Sequence, residues 1–128
     1  MNTEATAQPR EGTPDPKVVR AHQFVLEDAN GKTRAVLDVD KEGVPGLYLY
    51  DADGTPRIML AVGAHGSVLA MFDRNGKNRV SVAVSSDVAS VRLSDRSNTP
   101  RVRVTVGSDG APELELLHAN GVQLWSTP

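Results

Sequence analysis

Four aspartates open a series of short turns: Asp28 in "DANG", Asp51 in "DADG", Asp73 in "DRNG" and Asp95 in "DRSN". Six residues after each stands an arginine, at Arg34, Arg57, Arg79 and Arg101. Asp-x-[Asp/Asn]-Gly resembles a fragment of a calcium loop, which needs six to eight oxygen ligands, usually with a further acid several residues downstream. That acid is missing here, and local turn chemistry explains the same residues, because Asx side chains hydrogen-bond the backbone just after them. The arginines, placed by strand register across from Glu27, Tyr50, Phe72 and Ser94, suit outer-face packing through cross-strand ion pairs and cation–π contacts. The chemistry they could add is anion or acidic-partner recognition, for which Arg79, Arg92, Arg101 and Arg103 cluster on and beside one hairpin.

The remaining polar residues offer less. His22, His65 and His118 lack metal-ligand spacing, and the chain has no cysteine, so no metal or other cofactor is expected. "GAHGS" and "GSDG" hold Ser, His and Asp without the strand–turn–helix setting of a nucleophile elbow. No Gly-rich phosphate loop precedes a helix, because no helix is expected anywhere. The pattern brings no set of polar groups to a common pocket, and the chain reads as a non-enzyme. Trp125, the one tryptophan, falls opposite Leu116 and either caps the last hairpin or docks a partner.

What positions these residues is a period. Asp28, Asp51, Asp73 and Asp95 lie 23, 22 and 22 residues apart, and His118 follows 23 further on. Gly31, Gly54, Gly76, Asn98 and Gly121 keep the same offset, so the chain reads as five tandem units. Asn30-Gly31, Asp53-Gly54, Asn75-Gly76 and Asn120-Gly121 between alternating apolar residues predict two-residue type I′ hairpins. That turn pairs Leu26 with Ala35, Leu49 with Ile58, Met71 with Val80 and Leu93 with Val102, apolar against apolar on one face every time. Asn98-Thr99 is the weak copy, since Thr tolerates positive φ poorly, and a relaxed, longer loop is expected there. His65-Gly66 is read as a second kind of two-residue turn, and the longer links centre on Gly43 and Gly110.

The outcome is an all-β fold: an antiparallel meander of about ten strands, built from five β-hairpin units of 22–23 residues. Residues 1–19 are rich in Pro, Thr, Glu and Ala and read as a disordered tail; residues 20–128 form the hairpin domain. Ten strands about 4.8 Å apart and roughly 17 Å long present an apolar face on the order of 800 Å². Soluble monomers seldom expose more than roughly 300–600 Å² in one patch. The sheet must therefore curl or close on itself, as a barrel or solenoid-like coil, or be covered by another subunit; intramolecular closure is the first expectation and oligomerisation the next.

The pattern Φ-x-Φ-x-D-x-x-G-x-x-R-x-x-Φ-x-V, over residues 24–125, resembles a group of uncharacterised bacterial proteins made of tandem β-hairpin repeats and ending in a Leu-Trp tail like "VQLWSTP". The resemblance implies a fold style and no activity. "GLYLYDADG" is also similar, in the second unit alone, to the YD repeats of bacterial polymorphic toxins, which form β-hairpin shells. MORN repeats are of similar length, but their Gly and aromatic signature is missing here.

Sixteen acidic against fourteen basic residues give a net charge of -2. With an acidic first unit and few aromatics, nucleic acid is not an expected partner. The N-terminus has neither the apolar run of a signal peptide nor a membrane span, so a cytoplasmic protein is expected. The functional expectation is a non-catalytic structural or protein-interaction module that self-associates. The alternative is a carrier of a small apolar ligand or lipid inside a closed β-barrel.

Overall fold

A computed structural model describes residues 17–127; most of the expected N-terminal tail lies outside the described residues. Ten strands run in chain order: β1 (Gln23–Glu27), β2 (Thr33–Val39), β3 (Pro45–Tyr50), β4 (Pro56–Gly63), β5 (Gly66–Phe72), β6 (Asn78–Ser85), β7 (Val88–Ser94), β8 (Pro100–Val106), β9 (Pro112–Leu117) and β10 (Gln123–Ser126). They form one antiparallel sheet in which every strand pairs with its sequence neighbours, and there is no helix among the described residues. Among the described residues β1 pairs only with β2 and β10 only with β9, so this sheet has two free edges. The expected closure into a barrel is not made among the described residues.

Leu26 faces Ala35, Leu49 faces Ile58, Met71 faces Val80 and Leu93 faces Val102, as the spacing predicts. The turns that set this register are different from those expected. A type I′ turn needs positive φ at both central residues. Here φ is positive at the glycine alone: 75° at Gly31, 83° at Gly54, 74° at Gly76 and 81° at Gly121. Asp51 N–H donates to the Thr55 carbonyl at 3.0 Å, closing a three-residue loop. The register then skips one residue between Leu49 and Tyr50. The longer loop and the bulge cancel, which is why the simpler turn gave the right partners beyond them.

Asn98 takes the glycine position with φ of 65°, and Asp95 N–H reaches the Thr99 carbonyl at 2.9 Å, so this loop is not relaxed. Asparagine tolerates the left-handed region because its short side chain can bond locally. Thr99 never has to enter that region. The β4–β5 loop is Ala64-His65 rather than His65-Gly66, with Gly63 opposite Gly66. Slipping a hairpin by two residues conserves the face, so Val62 and Leu69 still point the same way. The β6–β7 loop, Ser86-Asp87, does have two positive φ values, 46° and 69°.

The sheet is a single layer. Ala70 and Leu117 are the only buried hydrophobic side chains among the described residues.

Candidate interaction surface

Each regularly spaced aspartate holds its own turn. Asp28 Oδ1 accepts the N–H of Asn30 at 2.9 Å and of Lys32 at 3.1 Å. Asp51, Asp73 and Asp95 repeat the arrangement at the same offsets. The second carboxylate oxygen faces the arginine: 3.6 Å for Asp28–Arg34, 3.3 Å for Asp51–Arg57, 3.7 Å for Asp73–Arg79 and 3.5 Å for Asp95–Arg101. These contacts hold all four carboxyls below the ordinary aspartate value. The largest influence on Asp28 is the Asn30 N–H, and on Asp51 and Asp95 the N–H of Thr55 and Thr99. At Asp73 partial desolvation is the largest influence and opposes the shift; the Lys77 and Asn75 N–H groups with Arg79 together outweigh it.

The arginines are not directly opposite Glu27, Tyr50, Phe72 and Ser94 as expected; those residues pair with Thr33, Pro56, Asn78 and Pro100. Every one of the four arginines is the residue the register skips, so the bulge aims it across the sheet. Its Nε then donates to a carbonyl of the next hairpin. Arg34 reaches Tyr50 at 3.3 Å, Arg57 reaches Phe72 at 2.8 Å, Arg79 reaches Ser94 at 2.7 Å and Arg101 reaches Leu117 at 2.7 Å. Asp and Arg thus form a spine that ties each hairpin to its successor. In the β9–β10 hairpin neither residue recurs: His118 holds the aspartate position and Leu124 the skipped one.

Arg79 and Arg101 are therefore engaged with a carbonyl and a carboxylate each. Arg92 and Arg103 stand opposite one another on β7 and β8. Arg92 Nη2 donates to Ser81 Oγ at 3.3 Å, and Arg103 Nε lies 2.9 Å from Glu115 Oε2. The four do not converge on a common point through any hydrogen bond or ion pair among the described residues. Trp125 pairs with Leu116 as expected and is 48% exposed. Among the described residues no group of three His, Asp or Glu side chains could hold a metal ion. No described helix is long and apolar enough to cross a membrane.

The largest chemical feature is the other side of the strands. Following the register from Leu26 gives the row Ala35, Leu49, Ile58, Met71, Val80, Leu93, Val102, Leu116, Trp125. A second row runs from Phe24 through Leu37, Leu47, Leu60, Leu69, Val82, Val91 and Val104 to Leu114. The third pairs Val39 with Pro45 on β2 and β3 and runs from Val62 on β4 to Pro112 on β9, with Ser67 its one polar side chain. No charged residue occurs in any row. Between the second and third rows, β2 to β6 form a shallow concavity of about 410 Å³. The face is open: Phe24, Leu37, Leu60, Val82 and Val104 are each more than 40% exposed.

No protein-family model matches this chain, and no curated protein sequence matches it.

Proposed function

We propose that this chain is a non-catalytic structural or interaction module that works by self-association. The observation that supports it is the uncharged apolar face, of a size that soluble monomers seldom leave in water. A single sheet with almost no buried side chain lacks the packed core on which most stability rests. Covering that face supplies one. The Asp–Arg spine suits a structural role, since it fixes the order and spacing of hairpins and commits its charges internally. Coiling of the sheet, solenoid-fashion, is compatible with the same spine.

Light scattering over a range of concentrations tests the proposal. A stable multiple of the 13.7 kDa chain is expected, and a particle of one chain mass at every concentration would overturn it. A second reading, carriage of a small apolar ligand or lipid, draws on the concavity over β2 to β6. It requires the two free sheet edges to meet, and mass spectrometry of gently purified protein would reveal the ligand.

A further inference from the structure

The apolar face has an occupant that its own chemistry selects. We infer that it is the same face of a second copy of this chain, two sheets packed front to front with their Val, Leu and Ile side chains interleaved. The inference rests on the self-association proposed above and adds which surface makes it; the alternative surface is the pair of free edges, β1 and β10.

Three observations carry it. The first is area. A face on the order of 800 Å² on each copy gives a joint burial of roughly 1,600 Å², the standard size of a stable protein–protein interface. The second is the absence of charge. A foreign partner is usually selected by complementary charges and by repulsion of wrong partners, and the three rows offer neither. Rows of similar side chains repeated strand after strand are instead self-complementary about a two-fold axis, the commonest symmetry of oligomers. The third is dependence. With Ala70 and Leu117 as its buried hydrophobic residues, the sheet needs its cover whenever it folds. A copy of the same chain is the partner always present where the chain is made.

The two sides of the sheet carry built-in reporters. Met71 lies on the apolar face, paired with Ile58 and Val80, and is 39% exposed in the single chain. Met59 lies on the opposite side, paired with Tyr48 and Ala70, and is half-buried. Hydrogen peroxide converts accessible methionine to the sulfoxide, and mass spectrometry of peptides reads each site separately. In an uncovered chain Met71 oxidises at least as fast as Met59. With two faces together the order inverts, and Met71 is expected to react at least tenfold more slowly than it does in urea-unfolded protein.

The wild-type protein is used, with its mass read by light scattering in the same buffer. A multiple of the chain mass with Met71 protected and Met59 reactive supports the inference. A multiple with Met71 reactive overturns it while leaving self-association standing, through the edges. A single-chain mass overturns both, whether or not Met71 is protected; protection in such a particle would mean a small ligand or internal closure. A mass that exceeds a whole multiple because a different protein is bound also overturns it.

Discussion

Replacing Arg79 by methionine isolates one rung of the spine. Methionine keeps most of the apolar stem, so the loss falls on the guanidinium. Its Nε gives a 2.7 Å hydrogen bond to the Ser94 carbonyl, from a side chain 35% exposed. A hydrogen bond from a charged donor contributes roughly 1.5–3 kcal/mol, and competition from water at this exposure lowers that to about 1–2 kcal/mol. The ion pair with Asp73, at 3.7 Å and open to solvent, adds little. Arg34 offers an internal comparison: its bond to Tyr50 is 3.3 Å long and its hairpin lies at the sheet edge. Arg34→Met is expected to cost about 0.5 kcal/mol. Arg79→Lys should not restore stability, because one ammonium cannot reproduce a planar fork that serves a carbonyl and a carboxylate together. The assay is urea unfolding at fixed chain concentration, since an oligomer's stability depends on it. Equal losses for Arg34→Met and Arg79→Met, or full rescue by lysine, would refute the spine as the link between hairpins.

Three further outcomes follow from the same geometry. The four spine aspartates have carboxyls depressed below their ordinary 3.8, so the unfolded chain takes up protons first and stability falls as pH drops from about 3.8 through their lower folded values. Urea midpoints should hold steady from pH 7 to 5 and decline below pH 4, and the decline should be shallower in Asp73→Asn/Asp95→Asn; an unchanged midpoint at pH 3 contradicts this. Ser94 is 6% exposed and its Oγ has no hydrogen-bond partner, so Ser94→Ala is expected to raise stability by about 1 kcal/mol, read as a higher melting temperature. A β-carbon at Gly66 would lie 1.8 Å from the Val84 carbonyl oxygen, whereas one at Gly63 would meet only the Gly66 carbonyl at 4.0 Å. Gly66→Ala should therefore cost roughly 2–4 kcal/mol in urea unfolding, and Gly63→Ala much less.

The sheet order and the facing of its side chains were legible because turn residues and apolar alternation repeat together. A slip by one residue would have put Leu49, Met71 and Leu93 on the wrong side in every hairpin at once. Turn detail was not legible, since a three-residue loop with a bulge and a two-residue loop place Leu49 opposite Ile58 equally well. The bulge in turn hid what the arginines do: placed directly across from Tyr50 or Phe72 they read as outer-face pairs, while skipped by the register they reach the neighbouring hairpin. Ser86-Asp87 carries no such turn signal, because neither residue is the glycine that usually supplies positive φ. Whether the sheet closes was beyond the sequence, because closure depends on tilt and stagger summed over all strands, and no single residue encodes them.

Small-angle X-ray scattering of the wild-type protein at several concentrations measures most directly whether the oily side of this sheet is hidden. Packed sheets sit about 10 Å apart, so a particle two layers thick with a mass of at least two chains is expected. A one-layer particle, or one of single-chain mass, would contradict it.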